Sequence, residues 1–168
     1  MRTLSRIWKA FQTLVLILLG VILATVLVLR VNGFQFLTVL SGSMEPELPV
    51  GSVIVVQPVG SYDSISVGDD VTFYAGTQGT VVTHRVIDKD PETMTVTTQG
   101  VANDAADAPI PYENIIGTVQ FDIPVVGFFL TSLSTIQGKA ITGIVIVAFL
   151  ALTFLIPNLF EENEGEKQ

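Results

Sequence analysis

Phe11 to Leu29 is a run of 19 residues without a single charge, broken in polarity only by Gln12, Thr13, Gly20 and Thr25. As a helix rising ~1.5 Å per residue it measures roughly 28 Å, close to the hydrocarbon thickness of a bilayer. Arg2, Arg6 and Lys9 precede the run and no acid does. A basic flank before an apolar run also describes a cleaved signal peptide. This run is long for that role, and no A-x-A site follows it before Arg30. The sequence therefore predicts a cytoplasmic N-terminus over residues 1–10, a retained transmembrane helix over 11–30, and an extracytoplasmic chain from residue 31 onward.

A second uncharged run, Ile141 to Leu159, predicts another membrane helix over residues 139–160. Lys139 and Lys167 flank it weakly, so the orientation rests on the first helix. Two spans would return the acidic tail, residues 161–168, to the cytoplasm as a disordered segment. The mean hydropathy of +0.59, with 49% apolar residues, fits a chain that keeps part of its apolar surface in lipid.

Between these runs, over residues 31–138, the pattern is that of a β-rich domain. Short β-branched stretches occur at Ser52–Gln57, Val71–Tyr74, Thr80–Ile87, Met94–Thr98 and Ile115–Phe121. Pro49-Val50-Gly51, Val67-Gly68-Asp69-Asp70, Ala75-Gly76 and Asp88-Lys89-Asp90-Pro91 read as turns between them. No amphipathic helix is evident between the strands, so the expected fold class is mainly β and mostly antiparallel, flanked by two transmembrane helices. Ile123–Leu130 is too short to span; it reads as a last core strand or turn, or as a flap on the bilayer surface.

Composition removes several functions. There is no cysteine, hence no disulfide, no thiolate metal site and no cysteine nucleophile. With one histidine as well, a structural zinc site is not expected, and no cofactor is called for. The net charge is −8, and between Val31 and Gly138 twelve acids face only Arg85 and Lys89 as fixed cations, which argues against nucleic acid as a partner.

Three features could carry chemistry. Ser41-Gly42-Ser43-Met44-Glu45-Pro46 places two hydroxyls at a bend, which suits either a nucleophile or an ordinary serine-rich turn. His84 lies in an alternating strand with Val82 and Val86 on its own face, and a strand histidine is commonly structural. Asn103-Asp104-Ala105-Ala106-Asp107 supplies carboxylates. A hydroxyl, an imidazole and a carboxylate are the components of a serine hydrolase. Lys89, the rival base, sits between two aspartates in an expected exposed turn, where its ammonium stays protonated. Arg85 cannot act as a base and is expected to pair with a carboxylate or face solvent.

SGSMEP, VGDDVTFY, THRV and TQGVANDAADAPIP occur in the order of the signal peptidase I family. They resemble its Ser-His-Asp branch, found in archaea, some endospore-forming bacteria and the endoplasmic reticulum. The likeness covers about residues 35–125 plus the N-terminal anchor. It implies Ser43 as nucleophile, His84 in place of the lysine base of the bacterial branch, and Asp107 as the carboxylate that orients His84. It implies Ser41, with the Ser43 backbone N–H, as the oxyanion site, and Met44 beside them near the substrate. Asp104 and Arg85 are secondary candidates. The substrates implied are secretory preproteins cut after a small residue, with the lipid bilayer, and accessory membrane subunits in some members, as partners. Where the family has Lys-Gly-Asp, this chain has Gln99-Gly100-Val101, so the first aspartate of that box is absent. The competing expectations are a specialised paralogue serving a few surface proteins and a catalytically silent, membrane-anchored scaffold.

Overall fold

The computed structural model of the chain describes residues 2–76 and 79–165. It divides into a β unit, residues 29–130, and a helical unit, residues 1–28 and 131–168.

The β unit is one seven-stranded antiparallel sheet. Its strands are β1 (Gln35–Thr38), β2 (Val53–Gln57), β3 (Asp70–Ala75), β4 (Thr80–Asp90), β5 (Thr95–Gln99), β6 (Ile110–Pro111) and β7 (Ile115–Ile123). They lie in the order β1-β2-β7-β3-β4-β5-β6, with β7 inserted between β2 and β3. Register shifts at Val55/Val56, Thr72/Phe73 and Val86/Asp88 interrupt the ladders, and such bulges bend and coil a sheet. The unit holds two apolar clusters. The larger holds Tyr62, Ile65, Val71, Phe73, Val86, Val96, Ile110 and Ile115; the smaller holds Met44, Leu48, Ile54 and Val56. Burying each such side chain contributes on the order of 1.5–3 kcal/mol.

The five expected strands are present, most of them a residue or two longer or shorter than expected. β1 and β6 are additions; four and two residues long, they are too short to show a period. β4 runs three residues further than expected, through Asp90, so Asp88-Lys89-Asp90 is strand and not turn. Lys89 is accordingly not a free surface ammonium. Its Nζ donates to the carbonyls of Tyr62 (3.1 Å) and Ile65 and lies 4.4 Å from the centre of the Tyr62 ring. Tyr62 itself is buried, its hydroxyl donating to the Thr95 carbonyl at 2.9 Å, and burial with Asp90 nearby pushes its phenol above the ordinary value.

α1 (Arg2–Val31) ends in a glycine cap. Gly33, at φ +85°, donates to the Arg30 carbonyl and Phe34 to that of Leu29, the paired bonds of a Schellman motif. Along α1, Leu14, Ile17, Leu23 and Leu27 are all more than half exposed. Among the described residues it is the one helix long and apolar enough to cross a membrane, over Arg6–Val31.

Of Ile123–Leu130, for which a last core strand or turn or a surface flap was expected, Ile123 ends β7 and Val126–Leu130 opens a helix, α2 (Val126–Ser134), rather than a strand or turn. Gly127 and Gly51 make this possible. A Cβ on Gly127 would lie 2.6 Å from the Gly51 carbonyl oxygen, and the Phe128 ring occupies the space beside Gly51. α3 (Ile136–Gly165) is continuous past Pro157, so Glu161–Gly165 of the tail is helical rather than disordered. Residues 166–168 of that tail, and Met1, lie outside the described residues. The Ile136–Phe149 part of α3 is apolar.

Candidate active site

Ser43 sits in a single 3-10 turn, Gly42–Met44, between β1 and β2. Ser41 enters it in extended conformation and Glu45 leaves it likewise, so the turn stands alone as a bend. Met44 anchors it from below, 2% exposed among Leu48, Ile54 and Val56. The Ser43 carbonyl accepts the Ala102 N–H at 2.9 Å. Gly100 passes beneath: a Cβ there would meet the Ser43 carbonyl oxygen and the Asn103 side chain, each at 2.7 Å. Only glycine leaves the room this crossing needs. Among the described residues, the Ser43 hydroxyl makes one loose contact, 3.4 Å to the Ser41 hydroxyl.

His84 projects from β4, directly opposite Val71 of β3, and is 6% exposed. Its Nδ1 lies 2.6 Å from Asp107 Oδ2. With Asp107 as acceptor, Nδ1 carries the proton and the Nε2 lone pair is available. The Phe73 ring stands edge-on to the imidazole, 6.3 Å between centres. Asp104, the other carboxylate of the loop, is exposed and makes no bond to His84. Val101, where the resemblance led us to expect aspartate, is exposed too.

Arg85 has the carboxylate partners expected of it, and has two. Its Nε and Nη2 donate to Asp70 at 2.9 and 3.0 Å; its Nη1 donates to Glu47 at 3.0 Å and its Nη2 to the second oxygen of Glu47. This fork ties the segment just after Ser43 to β3 and β4. Hydrogen bonds from Arg85 hold the Glu47 carboxyl below its ordinary value and make Arg85 still harder to deprotonate. Because the folded-state value of Glu47 is lowered, the tie contributes stability above the ordinary glutamate range and loses it as pH falls through the lower folded value. Thermal melts taken downward from about pH 5 are expected to show an acid-side loss that Glu47→Gln lacks, Glu being a group of ordinary pKa about 4.3. Equal acid-side losses in both proteins would refute it.

The 3-10 turn with Ser43 packs on β4, which carries His84. Among the described residues, however, no hydrogen bond joins the Ser43 hydroxyl to the imidazole. Ser41, Ser43 and Met44 border a largely apolar cavity of about 560 Å³ against β1, also lined by Thr80–Thr83. His84 and Asp107 border a neighbouring one with Phe73 and Ile110, and Val82 lines both. No group of carboxylates or imidazoles able to hold a metal is found among the described residues.

Two positions escaped the sequence reading. Thr98, fully buried, donates its hydroxyl to Asp107 Oδ2 at 2.7 Å. Glu47 proved to be the second partner of Arg85. A hydroxyl at a core-facing strand position was the available signal for the first; nothing in the sequence pointed to the second.

Comparison with known proteins converges on one family. Signal peptidase I W of Bacillus subtilis (strain 168) is 41% identical over 88 residues, which cover 51% of this chain and 46% of that protein. The chain thus matches just under half of that relative's length. The profile of the signal peptidases, peptidase S26, matches residues 10–115, from within α1 to the start of β7, including the Ser43 turn and the His84–Asp107 pair. On that match the chain belongs to the signal peptidase family, peptidase S26.

Proposed function

We propose that this chain is a membrane-anchored serine endopeptidase that removes signal peptides from secretory preproteins, and that it works in the Ser-His-Asp manner. The observation that carries the chemistry is the 2.6 Å bond between the chain's single imidazole and Asp107, next to a serine turn seated on the same strand. In this reading Ser43 Oγ attacks the scissile carbonyl while His84 Nε2 takes its proton. The tetrahedral oxyanion is met by the Ser43 backbone N–H and the Ser41 hydroxyl. The imidazolium, steadied by Asp107, then protonates the leaving amine. Water, deprotonated by His84 in turn, attacks the acyl carbon; its bond to Ser43 Oγ breaks, and His84 returns the proton to Oγ as the acid leaves. Ser43 Oγ and His84 Nε2 must come within about 3 Å in the substrate complex, and such contacts commonly tighten only when substrate is bound.

The surroundings suit this client. β1 is an edge of the sheet, open to an extended peptide adding as a further strand. The apolar cavity beside Ser43 suits small apolar side chains of the kind found at signal-peptide cleavage sites. α1, with its basic flank, would hold the enzyme where such sites emerge from the bilayer, raising their effective concentration. α3 would form a second span, placing the β unit outside the membrane and the acidic tail inside. This reading prefers His84 to Lys89 as the base, since the Lys89 ammonium is engaged by two carbonyls and a ring.

Purified full-length protein in detergent is expected to cut a preprotein once, at the end of its signal peptide. Intact preprotein after prolonged incubation with folded enzyme would favour the scaffold reading. Cleavage of only a few surface proteins, with general preproteins untouched, would favour the specialised paralogue.

A further inference from the structure

β5 alternates a core face with an outer face. Val96 and Thr98 are both fully buried on the core side, while Thr95, Thr97 and Gln99 are partly exposed. Thr98 stands opposite Val86 of β4, two residues from His84 on the same face. Valine would suit such a site by shape and by strand propensity. A hydroxyl there loses its water and needs a partner. Its partner is Asp107 Oδ2 at 2.7 Å, the same oxygen that faces His84 Nδ1 at 2.6 Å. The backbone repeats the tie: the Asp107 N–H donates to the Thr98 carbonyl at 2.8 Å. Asp107 is otherwise carried by a loop whose neighbours Asp104, Ala105, Ala106 and Ala108 are all exposed. Among the described residues, no group of that loop itself hydrogen-bonds the Asp107 carboxylate.

We propose that Thr98 is a positioning residue for the proposed cleavage reaction, clamping Asp107 by carbonyl and hydroxyl so that Oδ2 accepts the hydrogen bond from His84 Nδ1–H. The kinetic part rests on the peptidase reading above; the clamp itself does not. Thr98 acts through Asp107 and touches no substrate. Asp107 Oδ2, with two donors converging on it, cannot turn away from the imidazole without abandoning a buried hydroxyl. The clamp thereby selects the tautomer that leaves Nε2 able to accept the Ser43 proton.

The test compares Thr98→Val with Thr98→Ser in the full-length protein. Val keeps the shape and removes the hydroxyl; Ser keeps the hydroxyl and removes a methyl. Thr98→Val is expected to lower kcat roughly 10- to 100-fold with KM little changed, as for one lost hydrogen bond to a charged group. Thr98→Ser is expected to restore most of kcat. Because His84 is the chain's single histidine, its Nδ1 proton is an unambiguous NMR reporter. That resonance should move or broaden in Thr98→Val and return in Thr98→Ser. In the wild type a slowly exchanging Thr98 hydroxyl proton should lie close in space to it, which keeps the clamp testable if Thr98→Val does not fold. A folded Thr98→Val with unchanged kcat and an unmoved resonance would overturn the proposal, as would a rapidly exchanging wild-type hydroxyl. Wild-type protein that shows both protons yet cuts no preprotein would instead overturn the peptidase reading and leave the clamp standing.

Discussion

Ser43→Ala is expected to abolish preprotein cleavage while leaving the protein folded and inserted in the membrane. Losing the attacking oxygen of a serine hydrolase costs on the order of 10⁶-fold in kcat. The fold has little at stake in that oxygen, whose one described contact is 3.4 Å to another hydroxyl. What shapes the turn is the buried Met44 side chain, the Ala102 N–H on the Ser43 carbonyl and the absence of a Cβ on Gly100, and alanine at position 43 alters none of these. The change should therefore be silent in thermal melts and total in the preprotein assay. Ser41→Ala, at the proposed oxyanion position, is expected to fall between, with a loss of roughly 10²–10³-fold. A Ser43→Ala protein that still cleaved at the wild-type rate would remove the serine mechanism altogether.

Much of the β unit could be read in the sequence because half-buried strands announce themselves by alternation. Thr80–Ile87 is the clearest case: His84 and Val86 are buried while Val81 and Ile87 are exposed. Alternation fails where the chain is uniformly apolar or the element very short. Ile123–Leu130 is apolar throughout, and in eight residues no period separates a helix from a buried strand; what decides from Val126 onward is the glycine pair Gly51 and Gly127 packing against each other. Lys89 misled for another reason. Asp-Lys-Asp-Pro has the composition of a turn, but the register shift at Val86/Asp88 and the two carbonyls waiting for the ammonium carry β4 through it. At the site, local motifs marked the hydroxyl, the imidazole and the acidic loop separately. Their assembly depends on contacts between residues 23 and 59 positions apart, His84 to Asp107 and Ser43 to Ala102, which no local spacing encodes.

The acidic loop offers two carboxylates three residues apart, and only one of them should matter. Asp107→Asn is expected to reduce the cleavage rate by about 10⁴-fold, the cost of an orienting carboxylate that can no longer hold the right tautomer. Asp107 Oδ2 accepts hydrogen bonds from both His84 Nδ1–H and the Thr98 hydroxyl. An asparagine that keeps its carbonyl on those donors loses the charge that steadies the imidazolium. One that turns its NH₂ toward Nδ1 drives the proton to Nε2 and leaves His84 unable to accept from Ser43. Either way the geometry survives and the base does not. Asp104→Asn is expected to be mild, because Asp104 is exposed and bonded to none of these groups. Val101→Asp is expected to be tolerated, since Val101 is exposed and a carboxylate there needs no desolvation. Cleavage rates of the three variants at one pH, with equal amounts of folded protein, decide it. A dead Asp104→Asn beside an active Asp107→Asn would mean that the carboxylate serving His84 during turnover is not the one bonded to it at rest.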